Sequence, residues 1–331
     1  MVASTAAKES RRVVVLGTGG TIAGKAAKPG DNIGYTAAEV GVAELLGGIE
    51  VPGVALHAEQ VAQVDSKDMD FAVWQRLAAR CTHWLAQPDV AGIVITHGTD
   101  TLEETAFFLH SVLRSHKPVV LTCAMRPATA LAPDGPQNVR DAVVVAATAG
   151  AAGVVAVCAG VIHGALDVQK VHTYRLDAFS SGDGGPIGYV EEGAVRSVRN
   201  WPSATTERSE AEIDAIASAA TAPRVEIIVS HAGASGAIVD ALVQEFQAAR
   251  AGSAEGLVVA ATGNGTLHHE LEAAAMRAQA AGIAVLRATR CSGGRILPKP
   301  GDALRDAGLL SPVKARIALI VELLLCRSTP Q

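Results

Sequence analysis

The stretch VVVLGTGGTIAGKA, residues 13–26, begins with a run of four apolar residues and continues with a loop that contains four glycines, two threonines and a lysine. Glycine-rich loops after a strand let backbone N–H groups approach a ligand closely, so such a loop can hold a phosphate. The same geometry can serve a nucleophile, because N–H donors beside a hydroxyl stabilise a developing oxyanion. Thr18 and Thr21 supply hydroxyls for that chemistry, and each also fits a simpler role as a turn or helix cap.

The phosphate interpretation matches only part of a known pattern. The dinucleotide fingerprint GxGxxG fails because Ile22 occupies the last glycine position. The P-loop pattern GxxxxGK[ST] puts Gly19, Gly24 and Lys25 in register, but Ala26 stands where a hydroxyl must hold magnesium. A P-loop nucleotide-binding enzyme therefore stays only as a remote alternative.

A second loop with reactive side chains lies in GIVITHGTDTLEETAFFL, residues 92–109. An apolar, strand-like run leads into it and a helix-like segment follows. Thr101 and Glu104 match the T-x-x-E capping box, so we predict a helix start there. Asp100 can cap that helix or receive a substrate ammonium, and Thr99 can form a turn or act as a second reactive hydroxyl.

The elements around these loops alternate along the chain. Strand-like apolar runs are predicted at Val13–Leu16, Gly92–Thr96, Val119–Cys123, Gly153–Cys158, Val225–Ser230, Gly256–Ala261 and Ala284–Ala288. Helix-like segments between them are predicted at 70–86, 101–114, 136–149, 236–250 and 268–281. Such alternation favours an α/β fold with parallel strands, and ligands bind beyond the carboxyl ends of strands in such sheets.

A polar segment divides this pattern into two parts. The strand pattern disappears at 196–223, where a short helix at 209–219 is predicted. We therefore predict two α/β domains: a larger N-terminal domain (1–200) with a mostly parallel sheet and the reactive threonines, a linker (201–223), and a smaller C-terminal parallel-sheet domain (224–331).

The composition argues against several function classes. Of the 331 residues, 49% are hydrophobic and 18% charged, so a large core can be buried. The net charge is −5, and basic residues cluster only at 8–12, so we expect no nucleic-acid partner. Residues 142–162 carry no charge and are long enough to span a bilayer. Their Ala and Gly content and the AGAAG at 149–153 favour a helix, a turn and a strand instead, so we expect no membrane partner.

Cysteine usage and the N-terminal residues bear on location. Cys81, Cys123, Cys158, Cys291 and Cys326 form no CxxC pair and are interpreted as mostly buried thiols. The first twelve residues lack an apolar signal-peptide core, so we predict a cytoplasmic protein. The cluster at 268–270 lacks helical ligand spacing and is interpreted as a helix start, so we expect no metal site.

Together the two loops resemble the two signatures of the bacterial L-asparaginase family, which includes the glutaminase-asparaginases. The signature stretches are TGGTIAG at 18–24 and HGTDTLEETAFFL at 97–109, whose ending resembles the type II branch. Further matching stretches are NIGYT at 32–36, DSKDM at 65–69, AMRP at 124–127, DGPQN at 134–138, DVQK at 167–170, GY at 188–189 and ATGNGT at 261–266.

The resemblance implies hydrolysis of L-asparagine to L-aspartate and ammonia without a cofactor. Thr21 would attack the side-chain amide and carry the acyl group, and Tyr35 would close over it and help activate it. Thr99 and Lys170 would form a second pair, in which Lys170 takes a proton from Thr99 or a water. The backbone N–H of Thr99, and that of Thr21 as a further donor, would line the oxyanion site.

The resemblance also implies substrate contacts. Asp100 would hold the substrate ammonium and Ser66 its α-carboxylate. Lys67 stands where the family commonly has Gln or Glu, and we expect it to alter affinity or the Asn/Gln preference. The remaining predicted contacts are Gly20, Gly98 and two weaker candidates, Ala124 and Asn264, the last coming from a neighbouring subunit.

Other departures from the family limit what the resemblance implies. Thr266 replaces an asparagine often found in GNGN, and His116 occupies the position of one partner of a disulfide found in some secreted members. Residues 291–308 do not align with the segment that supports the lid tyrosine, so no carboxylate is assigned to Tyr35. The predicted function is an asparaginase, with a glutaminase-asparaginase of broad specificity as the alternative. The resemblance implies a homotetramer with sites between subunits.

Overall fold

The computed structural model describes residues 11–28, 30–114, 116–202 and 208–328. The chain divides into two compact units, Met1–Glu207 and Arg208–Gln331, referred to below as the N-terminal and C-terminal units. The predicted linker, 201–223, falls partly on residues 203–207, which lie outside the described residues. In its described part a helix forms at Glu210–Ser218, where Ser209 and Glu212 make a reciprocal capping box.

The N-terminal unit contains twelve strands and four α-helices among the described residues. The strands are β1 (Arg11–Gly19), β2 (Lys25–Ala26), β3 (Tyr35–Thr36), β4 (Val54–Val64), β5 (Val90–Thr96), β6 (Val119–Thr122), β7 (Val154–Cys158), β8 (Val161–Gly164), β9 (Gln169–Lys170), β10 (Phe179–Ser180), β11 (Gly188–Glu191) and β12 (Ala194–Ser197). The helices are α1 (Val42–Leu45), α2 (Phe71–Leu85), α3 (Leu102–Val112) and α4 (Gly135–Ala147).

Eight of these strands form one sheet in the order β12-β11-β8-β7-β6-β5-β1-β4. The five strands from β7 to β4 are parallel, and β8, β11 and β12 add an antiparallel edge. The central strands are buried on both faces, which explains their continuous Val, Ile and Leu runs. The remaining short strands pair as the antiparallel ribbons β2-β3 and β9-β10.

The C-terminal unit contains a three-stranded parallel sheet in the order β13-β14-β15. Its elements are α5 (Glu210–Ser218), β13 (Val225–Val229), α6 (Ala237–Gln247), β14 (Gly256–Ala261), α7 (His269–Ala280), β15 (Ala284–Thr289) and α8 (Pro312–Ser328). Helices α6 and α7 cover an apolar cluster that includes Val239, Leu257 and Ala274. The prediction of two α/β units with sheets of unequal size is confirmed.

Most predicted elements coincide with observed ones, but several were missed. The seven predicted strand runs lie in β1, β5, β6, β7, β13, β14 and β15, and the five predicted helices correspond to α2, α3, α4, α6 and α7. Strand β4 was missed because its sequence, VALHAEQVAQV, mixes polar and small residues on a half-buried surface. The antiparallel edge strands were missed as well.

Two local predictions were wrong. The loop expected after Leu16 begins later, because β1 continues to Gly19 with an irregular pairing to β4 between Gly17 and Gly19. At the start of α3, Thr101 is the N-cap residue but makes no capping bond, so the predicted capping box is absent. Its hydroxyl donates instead to the carbonyl of Ser66, at 2.7 Å.

The structure places the uncharged stretch 142–162, the five cysteines and the cluster at 268–270. Residues 142–162 form the end of α4, a turn, β7 and the first two residues of β8. No helix among the described residues is long and apolar enough to cross a membrane. All five cysteines are free thiols, three of them buried and two exposed, Cys291 and Cys326. The cluster at 268–270 starts helix α7, with His268 as the N-cap, as predicted.

Candidate active site

Two glycine loops meet in direct backbone contact beyond β1 and β5. Gly20 has φ of 82° and ψ of −171°, and a Cβ built on it would lie 2.3 Å from the backbone of Gly98. A Cβ on Gly98 would in turn lie 2.4 Å from Oγ of Ser66. Only glycine fits at either position, and the contact brings the residues that follow, Thr21 and Thr99, to one place.

Thr21 lies at the start of a short 3-10 helix, Thr21–Ala23, and is 8% exposed. Its Oγ1 is 2.7 Å from Oη of Tyr35, a hydrogen bond in which either hydroxyl can donate. The tyrosine ring packs on Gly24, where an added Cβ would lie 2.8 Å from Cδ2 of Tyr35. The ribbon β2-β3 carries the tyrosine back over the threonine, which gives Thr21 a hydroxyl partner 14 positions along the chain.

Lys170 joins the second loop from a distant part of the sequence. Its Nζ donates to Oγ1 of Thr99 at 2.8 Å and to Oδ1 of Asp100 at 2.6 Å. The lysine side chain is 18% exposed, whereas that of Asp100 is 54% exposed. The ribbon β9-β10 positions Lys170, and a carboxylate oxygen of Glu103 accepts from its backbone N–H at 3.4 Å. The predicted Thr99–Lys170 pair is therefore formed, with Asp100 as its third member.

Ser66 lies beside this group and is 2% exposed. Its Oγ accepts from the backbone N–H of Asp100 at 3.2 Å, so the serine hydroxyl retains its own proton for another acceptor. The contact and the Thr101 bond to the Ser66 carbonyl fix the 65–69 loop against the 97–101 loop. Ser66 thus lies within hydrogen-bond distance of the loop that carries the predicted ammonium-binding carboxylate.

Lys67 points its ammonium at two carboxylates of its own loop. Nζ lies 2.6 Å from Asp65 and 3.2 Å from Asp68, and the side chain is 61% exposed. The hydrogen bonds that Lys67 donates to Asp65 and, with a smaller effect, to Asp68 raise the pKa of Lys67, because both stabilise the charged form. The positive charge that departs from the family pattern is therefore partly neutralised locally.

The side chains of Asp134 and Asn138 hold the loop that contains Ala124 by hydrogen bonds to its backbone. Asp134 accepts from the backbone N–H groups of Met125 and Arg126, each at 3.0 Å. Asn138 donates to the carbonyl of Cys123 at 2.9 Å and to Asp134 at 3.2 Å. Both residues belong to DGPQN, a stretch that matches the family but to which the resemblance assigned no role. Asp134 and Asn138 are four positions apart, about one helical turn, so their side chains lie on the same side of the helix start. That spacing was the signal that both side chains bond to the same loop.

Asn264 belongs to the C-terminal unit, where its side chain is engaged within its own chain. Its Oδ1 accepts from the backbone N–H of Leu297 at 2.7 Å, and its Nδ2 donates to the carbonyl of the same residue at 3.2 Å. Thr266, the residue that departs from GNGN, bonds to Thr262 across the same turn. These contacts hold the 262–266 loop against residue 297 and leave the role of Asn264 in a neighbouring site as a prediction.

The geometry after the first loop does not fit a P-loop. A P-loop lysine opens a helix whose N-terminus faces the phosphates. Here Lys25 lies in strand β2, and its ammonium is 3.7 Å from Glu44, with 45% of the side chain exposed. The remote nucleotide-enzyme alternative therefore lacks its structural context. Among the described residues no group of His, Cys, Asp or Glu is arranged to hold a metal ion.

Large open grooves elsewhere in the N-terminal unit do not coincide with these residues. One, of about 750 Å³, is lined by Pro88, Pro118 and neighbouring residues near the starts of β5 and β6. It contains none of the predicted site residues. Because ligands of parallel sheets bind beyond the carboxyl ends of strands, chemistry rather than volume identifies the site here.

The fold and these side chains define a two-unit α/β protein with two buried threonine hydroxyls, one bonded to a tyrosine and the other to a lysine that also contacts an aspartate. Such a set is suited to acyl transfer. Family models match both units: "Asparaginase, N-terminal" over residues 12–203 and "Glutaminase/Asparaginase C-terminal domain" over residues 224–328.

Individual relatives agree with these matches. An L-asparaginase 2 of Bacillus subtilis is 36% identical over 97% of this chain and 86% of its own. A glutaminase-asparaginase of Pseudomonas fluorescens is 35% identical over 94% and 86%. The crystal structure of a probable cytoplasmic L-asparaginase from Campylobacter jejuni superposes with a TM-score of 0.85 at 34% identity, covering 96% of this chain and 95% of the other. This chain belongs to the asparaginase family.

Proposed function

We propose that this protein hydrolyses L-asparagine to L-aspartate and ammonia through an acyl-enzyme on Thr21. The observation that carries the proposal is the backbone contact of Gly20 with Gly98. Each of these glycines precedes a threonine whose hydroxyl has its own partner, Tyr35 for Thr21 and Lys170 for Thr99. Membership of the asparaginase family supports the amide substrate. No cofactor takes part in the proposed reaction.

In the first step Oγ of Thr21 attacks the side-chain amide carbon of the substrate. The Thr21 proton passes to Tyr35, whose hydroxyl lies 2.7 Å away, and from there toward the departing nitrogen, which leaves as ammonia. The carbonyl oxygen becomes an oxyanion, and the backbone N–H groups of Thr99 and Thr21 donate to it. Preorganised donors of this kind lower the barrier because they need no reorientation during the reaction.

In the second step water attacks the ester carbonyl and releases L-aspartate. The amine of Lys170 takes the proton from Thr99 or from the water, and a proton returns to Oγ1 of Thr21 as the ester bond breaks. In the substrate-free site Lys170 also contacts Asp100 at 2.6 Å. A substrate ammonium that binds Asp100 competes with Lys170 for this carboxylate, so substrate binding releases Lys170 from its ion pair. The released ammonium then gives one proton to solvent before the amine accepts another.

Substrate recognition uses the two charged groups on the α-carbon of the amino acid. Asp100, which is half exposed, holds the α-ammonium, and the hydroxyl of buried Ser66 donates to the α-carboxylate. Gly20, Gly98 and Ala124 leave room for the substrate beside the threonines. Lys67 adds a positive charge on the loop that carries Ser66 and tunes affinity or the choice between Asn and Gln.

A glutaminase-asparaginase of broad specificity is the alternative within the same chemistry. A relative with that name is as similar to this chain as the L-asparaginases are. One methylene in a substrate is worth about 1–3 kcal/mol of discrimination, so small changes in the pocket decide the preference. The ratio of kcat/KM for L-Asn to that for L-Gln separates the two.

The proposed assembly is a homotetramer with active sites between subunits. Exposed apolar side chains follow Lys170 in the N-terminal unit, with Val171 and Tyr174 more than half exposed, and such surfaces are typical of interfaces. Sedimentation equilibrium should give four times the 33.8 kDa chain mass. A mass equal to one chain at active concentrations would contradict the assembly. The cytoplasmic location stays a prediction.

Ammonia release from L-Asn and L-Gln by the wild type, Thr21→Ala and Thr99→Ala tests the mechanism. We expect both variants to lose more than about 99% of kcat while remaining folded, since each removes a reacting hydroxyl. Thr36→Ala, an exposed threonine next to Tyr35, is the matched control and should keep its activity. A wild type inactive on both amides, or a fully active Thr21→Ala, would overturn the proposal.

A further inference from the structure

The predicted site leaves one fully buried polar side chain without a role, His97, which lies between β5 and Thr99. It is 0% exposed. Its Nδ1 is 2.7 Å from the carbonyl oxygen of Gly98. Because a carbonyl only accepts, Nδ1 carries the proton, and the neutral ring must accept at Nε2. Burial lowers the pKa of His97 to about 4, which agrees with a neutral ring at pH 7.

The rest of this hydrogen-bond chain has only one possible direction. Oγ1 of Thr105, on α3, lies 2.9 Å from Nε2 of His97 and therefore donates to it. The indole Nε1 of Trp74, on α2, donates to the same hydroxyl at 2.9 Å, since an indole nitrogen cannot accept. The Trp74 ring is stacked on Phe108 with a centroid distance of 5.1 Å. The chain Trp74–Thr105–His97–Gly98 thus links the catalytic loop to two packed helices.

The peptide group held by this chain is the one that contains the N–H of Thr99. In a planar trans peptide the C=O and the following N–H point in opposite directions. The Gly98 carbonyl is turned toward the buried ring, so the Thr99 N–H is turned away from that ring. Glycine at position 98 would otherwise rotate easily, because it lacks a Cβ.

We propose that His97 is a positioning residue that fixes the oxyanion-binding N–H of Thr99, with Thr105 and Trp74 as its support. This inference rests on the proposed function and adds a residue that does not touch the substrate. It predicts an effect on kcat with little effect on KM, because the oxyanion exists only during the reaction. Removing one oxyanion donor typically costs about 10²–10³-fold in kcat.

Two amide substitutions separate positioning from simple stability. In His97→Asn the amide nitrogen of the new side chain occupies the place of Nδ1 and keeps the bond to Gly98. In His97→Gln the longer side chain extends to the place of Nε2 and keeps only the bond to Thr105. Each variant loses one buried hydrogen bond. We expect His97→Gln to lose about 10²-fold or more in kcat with KM within about threefold, and His97→Asn to stay within about tenfold of the wild type.

A second pair of variants leaves residue 97 intact. Thr105→Val removes the bond to Nε2 and should lower kcat by about fivefold or more, since the ring then loses its support. Thr122→Val is the matched control, because Thr122 is equally buried and its hydroxyl bonds to the carbonyl of Val157 at 2.8 Å. It should lose stability but keep kcat within about twofold.

All variants are assayed at pH 7 on L-Asn, beside the wild type and Thr21→Ala, with urea unfolding as the stability measurement. Equal kcat values for His97→Asn and His97→Gln would overturn the positioning role, and so would losses of kcat that follow the losses of stability alone. In either case an active wild type and an inactive Thr21→Ala would still support the proposed function. An inactive wild type would overturn both.

Discussion

At the scale of single residues, the hydroxyl of Tyr35 is hydrogen-bonded to the proposed nucleophile. The phenol lies 2.7 Å from Thr21, while its ring is held separately by contact with Gly24. The hydrogen bond and the packing of this side chain can therefore be tested independently of each other.

Replacing Tyr35 by phenylalanine should keep the ring contact and remove the proton path. We expect kcat for L-Asn to fall about a hundredfold or more, as for other lost general acid–base groups, with little change in the urea midpoint. Tyr189→Phe is the control, because Tyr189 lies on β11 under the guanidinium of Arg196. A Tyr35→Phe variant with wild-type kcat would remove the tyrosine from the mechanism.

The Lys67→Gln substitution tests the charge that departs from the family. It removes a cation near the ammonium-binding loop and frees the carboxylates of Asp65 and Asp68. We expect KM for L-Asn to fall about two- to fivefold at low salt, with kcat unchanged, because exposed charge pairs have small effects that salt screens. Lys299→Gln makes the same charge change in the C-terminal unit. Unchanged constants for both L-Asn and L-Gln would reject a role for Lys67.

At the scale of elements, the site depends on how closely three loops approach one another. Gly20, Gly98 and Ser66 lie in contact beyond the ends of β1, β5 and β4. Thr18 strengthens the arrangement by donating to the carbonyl of Thr96 at 2.9 Å. The loops act as one unit, so a single added methyl group should displace both threonines.

Gly20→Ala should therefore lower activity and stability far more than the backbone strain of an alanine at this φ would explain. Its Cβ would meet the Gly98 backbone at 2.3 Å, so we expect kcat to fall more than about a hundredfold and unfolding free energy to fall by about 3 kcal/mol or more. Gly48→Ala is the matched control, because Gly48 has nearly the same φ, 80°, but open space around it. It should cost about 1–2 kcal/mol and leave kcat unchanged. Equal effects of the two substitutions would reject the close-contact explanation.

At the scale of the whole molecule, two buried histidines couple stability to pH. Burial lowers the pKa of His97 and of His163 to about 4, from an ordinary value of 6.5. Between pH 4 and 6.5 the unfolded chain binds protons at these positions and the folded chain does not. The contribution of the two neutral histidines to the free energy of unfolding is therefore complete above about pH 6.5 and is lost as the pH falls toward about 4.

Urea unfolding at pH 7 and pH 5 should show this loss. The linkage relation gives about 2 kcal/mol lower unfolding free energy per histidine at pH 5. His163→Asn should remove about half of the difference, since the new amide nitrogen occupies the place of Nδ1 and keeps the bond to Ser181, the partner of His163 at 2.8 Å. Stability that is the same at both pH values would show that these rings are not held neutral.

The sequence by itself determined the elements and the chemical groups. Runs of Val, Ile and Leu predicted the central parallel strands, because a strand that is buried on both faces consists of consecutive apolar residues. Strand β4 and the antiparallel edge strands have mixed polarity and no continuous apolar run, so they were missed. The two glycine-rich loops indicated reactive hydroxyls, and the resemblance named Thr21, Thr99, Asp100 and Lys170.

Only the tertiary structure decided which groups meet. Lys170 reaches Thr99 across 71 positions, and Gly20 contacts Gly98 because β1 and β5 are neighbours in the sheet. The hydroxyl of Thr101, which the local pattern assigned to a helix cap, bonds to Ser66 instead. Local patterns encode burial over a few residues, whereas strand order and loop contacts depend on pairing between distant segments, which no short stretch of sequence contains.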